Sequence, residues 1–202
     1  MQDKTAKFYD QIASEYTQEH GYNEQLSLPA LKKFLKLLPK NSSVLDVGCG
    51  GGQDSQFLTE NGCSVFGIDI SKEMIKLAKN FSSKAKFEVV DVLDLDSKIK
   101  KYGGIWCCRV FHHISIKDQV KFVKKLRNLL KVDGILYLTS VVSDKKRNYE
   151  IQDVEKGNII KKRLTVKSFK ELILGNNFSI LEFGYWQGNK GMEIFAQKVN
   201  KK

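Results

Sequence analysis

The sequence predicts an α/β protein on a doubly wound, mostly parallel, seven-stranded sheet, and three observations carry that prediction. Short apolar runs of strand type alternate with helix-type segments from Pro39 onward. A glycine run at 48–52 stands where the first of these strands gives way to a helix, the ligand crevice of such sheets. Two late strand-type runs lie so close together that only an antiparallel hairpin can join them. The 202 residues suit one domain, long enough to bury about 70% of the surface its unfolded form exposes. With 42% hydrophobic and 28% charged residues, the chain falls outside the disordered and fibrous classes.

The first forty residues read as an N-terminal helical cap, one helix over 4–20 and a second over 28–38, stopped by Pro39. Residues 41–202 form the main domain. Its strands are expected at 43–47, 64–68, 86–90, 104–110 and 135–140. The clearest helix, 116–130, carries Ile116, Val120, Val123, Leu126, Leu129 and Leu130 as one apolar stripe, with Gly134 after its end. The charged stretch 143–163 reads as a loop or insertion on the substrate side. A last helix over 165–174, N-capped by Thr165, precedes the hairpin strands 178–185 and 192–198.

Four cysteines (Cys49, Cys63, Cys107, Cys108) lack CxxC spacing, so neither a disulfide framework nor a metal site is expected. No apolar run reaches the roughly 18 residues of a membrane span, and a soluble, cytoplasmic protein is the expectation. The net charge is +11, yet only four of 34 basic residues are arginine. Diffuse lysine fits a solvated surface better than an arginine-rich phosphate grip.

The chemistry concentrates in the segment 44–54, Val-Leu-Asp-Val-Gly-Cys-Gly-Gly-Gly-Gln-Asp. Glycines allow close backbone approach to a ligand, and the following helix start offers unpaired N–H groups. A dinucleotide fingerprint would need glycine at the sixth position from Gly48, where Gln53 stands. Asp46 beside the loop repels a pyrophosphate and attracts a cationic amine. Asp69 ends the second strand, 21 residues after Gly48, where a carboxylate can accept both hydroxyls of a ribose. A ribose, an amino-acid head and no phosphate describe S-adenosylmethionine.

On these residues the chain resembles the class I (Rossmann-like) S-adenosylmethionine-dependent methyltransferases from about Phe8 to Lys198. DxGCGxG is matched at 46–52, the acidic second-strand end at Gly67-Ile68-Asp69-Ile70-Ser71, and the adenine-side acid at Val90-Asp91-Val92. The stretches 50–55 and 102–106 are similar to small bacterial methyltransferases that carry GRDS and YDGIW, with Gln53 in place of the arginine and Gly103 in place of the aspartate. The resemblance implies cofactor contacts from Asp46, Gly48, Cys49, Gly50, Gly52, Asp54, Asp69, Ile70, Met74, Asp91, Val92 and Arg109, the last through its backbone carbonyl or, toward an acidic substrate, its side chain. No metal is implied.

Methyl transfer from a sulfonium needs alignment and exclusion of water, and a base only if the acceptor carries a proton. The fourth strand ends in Arg109-Val110-Phe111-His112-His113, and one of the two histidines is expected to face the pocket. Tyr16, in the pattern Tyr9-x-x-x-Ala13-x-x-Tyr16, resembles the family segment that folds over the active site; anchoring of the helix is its other reading. The expected partner is a small-molecule acceptor, with the protein a monomer or homodimer. A tRNA or other nucleic-acid acceptor is the alternative, drawing on 145–147, 161–163 and a likeness of 110–113 to wobble-uridine carboxymethyl methyltransferases. A non-catalytic binder of the cofactor is the second alternative.

Overall fold

Successive residues of the first strand point to opposite faces of a sheet, and both faces are covered. Val44 joins Trp106, Ile135, Tyr137 and Phe195 beneath a helix carrying Leu31 and Phe34, whereas Leu45 joins Ile105, Leu136, Ile194 and Phe122 on the other side. This arrangement comes from a computed structural model that describes residues 2–20, 27–98, 100–142, 151–153, 160–162, 164–186 and 191–200.

The elements in chain order are α1 (Gln2–His20), α2 (Leu28–Leu37), β1 (Ser43–Val47), α3 (Gln53–Glu60), β2 (Ser64–Asp69), α4 (Lys72–Phe81), β3 (Lys86–Val89) and β4 (Tyr102–Cys107). There follow two 3₁₀ turns (Phe111–His113 and Ile116–Asp118), α5 (Gln119–Leu129), β5 (Leu130–Val141), β6 (Ile151–Asp153), β7 (Ile160–Lys162), α6 (Val166–Leu174), β8 (Phe178–Trp186) and β9 (Gly191–Lys198). The main sheet runs β3-β2-β1-β4-β5-β9-β8. Strands β1 to β5 are parallel, and β9 pairs antiparallel with both β5 and β8. The order reverses between β1 and β4, which opens a crevice at their carboxyl ends.

Three sequence expectations need correction. The fourth strand ends at Cys107 and does not run to Val110. Arg109 takes a left-handed backbone (φ 59°), and its N–H donates to Thr139 Oγ1 at 2.6 Å, so the chain leaves the ladder there. The 116–130 helix begins as a 3₁₀ turn and becomes α-helical at Gln119. It hands over directly to β5, so Gly134 lies inside that strand. The two helices of the expected cap also part company. α2 is a full member of the core, with Phe34 buried edge-on against Trp106 at 5.3 Å, while α1 packs on α4.

Within 143–163, β6 and β7 form a separate antiparallel pair, and β7 runs beside the turn Phe111–His113. Residues 143–150, 154–159 and 163, including the basic cluster 145–147 and Arg163, lie outside the described residues, as do 187–190 between β8 and β9. No helix among the described residues is long and apolar enough to cross a membrane.

Candidate functional site

The loop after β1 is built from three residues in the left-handed region, Gly48 (φ 70°), Gly50 (φ 52°) and Gly52 (φ 90°). The amides of Gly48 and Cys49 both donate to the Ile68 carbonyl, at 2.8 and 3.0 Å, which pins the loop to the end of β2. A Cβ on Gly48 would meet Val110 Cγ2 at 2.2 Å, whereas a Cβ on Gly50 would meet nothing within 4 Å. The Gly50 side of the loop is therefore open space bounded by backbone, a cradle that only glycine keeps empty.

That space belongs to a cavity of about 1220 Å³, its open mouth included, at the carboxyl ends of β1, β2 and β4. Asp46, Gly48, Cys49, Gly50, Asp54, Asp69, Ile70, Met74, Asp91, Val92 and Arg109 all line it. Gly52, expected with them, stands off the cavity and caps α3, where a Cβ would press on Ala78 and Phe87. Its role is to let α3 begin close to α4 and β3.

Each acid is held by donors. Asp69 accepts from the Gly50 amide (3.1 Å) and the Ser71 amide (2.9 Å), so it ties the glycine loop to the start of α4. Burial nevertheless raises its pKa above the ordinary carboxylate value. Asp46 is almost fully buried and accepts from Ser55 Oγ at 2.6 Å. Burial first, and the neighbouring Asp54 second, push its pKa up to about 8. Asp54 accepts from Trp106 Nε1 (2.8 Å) and Ser27 Oγ (3.1 Å). Trp106 is stacked on Tyr137 at 3.9 Å, so the sheet core itself orients this carboxylate. Asp91 turns one oxygen to the Leu93 amide at 2.9 Å.

α1 forms the opposite wall. Asp10 accepts from Ser71 Oγ (2.7 Å) and the Glu73 amide (3.2 Å), which fastens α1 across the N-terminus of α4. Tyr9, Tyr16 and Thr17 then face the cavity. The Tyr9 hydroxyl is hydrogen-bonded to His113 Nε2 at 3.1 Å, and Tyr16 packs edge-on against Tyr9 at 5.4 Å. Burial raises both phenols' pKa values. Of the histidine pair, only His113 lines the cavity. His112 is buried behind it, with ring centres 4.1 Å apart, and does not reach the pocket. The 3₁₀ turn sets His112 behind His113, with only the latter on the cavity.

Of the residues expected at the methyl-transfer end, Tyr16 and one of the two histidines, His113, line the same space, together with Tyr9. Sequence reasoning missed Asp10, Ser27, Thr17 and Cys108, for which no local motif exists. The four cysteines are free thiols. Burial and the nearby Asp54 push Cys108 up to about 12, so it is a thiol at neutral pH and no nucleophile. No cluster of His, Cys, Asp and Glu fit for a metal occurs among the described residues.

Residues 44–134 match the family described as "Methyltransferase domain". The ubiquinone biosynthesis O-methyltransferase of Coxiella burnetii is 29% identical over 147 residues, covering 69% of this chain and 62% of that enzyme. The chain thus spans less than two thirds of the length of that relative. Among solved structures, a Burkholderia thailandensis 1,6-didemethyltoxoflavin-N1-methyltransferase with bound 1,6-didemethyltoxoflavin and S-adenosylhomocysteine superposes with a TM-score of 0.70, at 18% identity, over 96% of this chain and 90% of that one. The [4+2]-cyclase SpnF superposes with a TM-score of 0.81 at 15% identity, over 100% and 98%. The shared fold therefore serves more than one reaction.

Proposed function

We propose that this chain, which carries a methyltransferase domain on the class I Rossmann-like fold, binds S-adenosylmethionine in the cavity and moves its methyl group to a small-molecule acceptor by in-line displacement. The observation that carries this is the pairing of the empty Gly50 cradle with Asp69, whose carboxylate is already fixed by the Gly50 and Ser71 amides. The residues fit the cofactor chemically. Asp69 stands ready for a ribose diol, the Gly48–Gly50 backbone for close approach, Asp46 and Asp54 for a cationic amine, and Asp91 for the adenine side.

When bound, the cofactor supplies a methyl group already activated by a sulfonium. The protein's own contribution is alignment, exclusion of water and removal of one proton. α1 forms one wall of the cavity and narrows solvent's access to it. A hydroxyl or amine acceptor lying beside Tyr9 and His113 displaces the Tyr9 phenol, held protonated by burial, from Nε2 of His113 and gives its proton to that nitrogen. His112 has no contact with the acceptor in this scheme, because it stays behind the pocket wall.

Calorimetric titration with S-adenosylmethionine and S-adenosylhomocysteine, on wild type and Asp69→Ala, tests the cofactor assignment. Micromolar binding that Asp69→Ala weakens at least tenfold, about 1.4 kcal/mol, supports it. A folded sample that binds neither compound overturns it.

A further inference from the structure

Among the described residues that line the cavity, Arg109 is the one lysine or arginine, set against four aspartates, Asp46, Asp54, Asp69 and Asp91. A guanidinium stays charged at every accessible pH, and a largely buried one costs free energy unless an anion answers it. Among the described residues no carboxylate is within ion-pair distance of it. The acids nearby are engaged elsewhere: Asp54 with Trp106 and Ser27, Asp69 with Gly50 and Ser71. The Cys108 thiol beside Arg109 is kept protonated by burial and therefore carries no charge.

The backbone singles out the same residue. Arg109 holds φ 59°, a left-handed conformation that is strained for a non-glycine residue, and Thr139 Oγ1 fixes it by accepting from its N–H at 2.6 Å. This bend ends β4 and sends the following residues into the turn that carries His113, four positions on. The Arg109 charge is felt by Tyr9 and Tyr16, the phenols at the acceptor end of the cavity.

We propose that Arg109 is the anion-recognition residue of the acceptor pocket, and that the acceptor therefore carries a carboxylate or phosphate group. The inference rests on the proposed function for the position of the acceptor, but its test reads binding and not turnover. A guanidinium pairs with a carboxylate or phosphate through two parallel N–H donors, which orients a planar acid as well as holding it. With the acid held at Arg109, the opposite end of a small acceptor lies against His113 and the open Gly50 side.

Ligand-observed NMR titrations with phenyl phosphate, benzoate and benzamide test this, on protein saturated with S-adenosylhomocysteine and on protein alone. Wild type is expected to bind the better of the two anions at least tenfold more tightly than benzamide. Arg109→Asn, chosen because asparagine tolerates a left-handed backbone, erases that preference and leaves the S-adenosylhomocysteine Kd within twofold. Arg109→Lys, which keeps the charge, retains part of it. Equal or undetectable binding of all three probes overturns the proposal. So does a tenfold loss of S-adenosylhomocysteine affinity in Arg109→Asn with the acid preference intact, since the guanidinium would then serve the cofactor's carboxylate. Failure of wild type to bind S-adenosylhomocysteine counts against the methyltransferase reading alone, and the acid–amide comparison on the protein alone still decides the role of Arg109.

Discussion

The hydroxyl of Tyr9 on α1 lies 3.1 Å from Nε2 of His113, 104 residues further along the chain. The contact closes one end of the cavity and fixes the imidazole ring. In the tautomer with its proton on Nδ1, His113 presents Nε2 as an acceptor, first to the phenol and then to an incoming acceptor's proton. His113→Gln is expected to lower kcat by about 10² or more, in the range of a lost general base, while the S-adenosylhomocysteine Kd stays within twofold. Tyr9→Phe should lower kcat by about tenfold, and the double variant should be no worse than His113→Gln alone, because both changes remove one unit. Steady-state kinetics on the four proteins read this directly. Additive losses would mean that Tyr9 and His113 act separately.

Two glycines of one loop should fail in different ways. Gly48→Ala places a methyl 2.2 Å from Val110 Cγ2 and also strains φ at 70°, so the loop or the β4 end must shift. Its unfolding midpoint is expected to drop by more than that of Gly50→Ala. Gly50→Ala meets no atom within 4 Å and carries only the left-handed penalty, about 1–2 kcal/mol. Its methyl enters the space proposed for the cofactor, so S-adenosylhomocysteine binding should fall at least tenfold in a protein that still melts cooperatively. Thermal melts and calorimetry on both variants separate the two effects.

The sheet and the glycine loop were readable because both are local. Short apolar runs, buried on both faces, mark β1 and β2, and the motif 46–52 needs its glycines wherever the ligand backbone approach occurs. The end of β4 was misplaced because Arg109 and Val110 look like strand residues; only the Thr139 hydroxyl, thirty residues away, holds Arg109 out of the ladder. The histidine pair could be located but not resolved, since a 3₁₀ turn and not the strand period decides that His113 faces the cavity. Asp10 was invisible for a third reason. An aspartate on a helix face reads as solvated until the helix is seen to lie across another helix's N-terminus.

That aspartate gives a prediction about the wall it holds. Asp10→Ala removes the acceptor for Ser71 Oγ and the Glu73 amide, so α1 loses two hydrogen bonds to the start of α4 and keeps the weak one from Thr17 Oγ1 to the Met74 sulfur. Ser71 keeps its own N-cap bond to the Met74 amide at 3.1 Å, and α4 should survive. The expected result is a stability loss of about 1 kcal/mol, the size of a helix-cap deletion. Amide exchange should speed up in α1 before it does in the sheet. Uniform loss of protection across the sheet would show that Asp10 supports the whole fold and not the wall alone.

Asp46 sets a pH dependence with a definite sign. Its folded pKa is about 8 against an ordinary 3.8, because burial and the neighbouring Asp54 and Asp69 disfavour the charge more than the Ser55 hydrogen bond favours it. The folded protein therefore binds more protons than the unfolded chain between those two values. Stability falls as pH rises through that window and levels off above about 8. Asp46→Asn, which leaves Ser55 an acceptor, should remove the Asp46 share of the slope, so denaturant midpoints of variant and wild type diverge in the variant's favour from pH 5 to 8. Ligand binding adds a second signature. A cationic amine seated beside Asp46 favours the carboxylate, so S-adenosylmethionine should release up to one proton on binding at pH 7. Calorimetric enthalpies in buffers of different ionisation heat would report that release for wild type and none for Asp46→Asn. Buffer-independent enthalpies in wild type would place the amine away from Asp46, with Asp54 as the remaining acid for it.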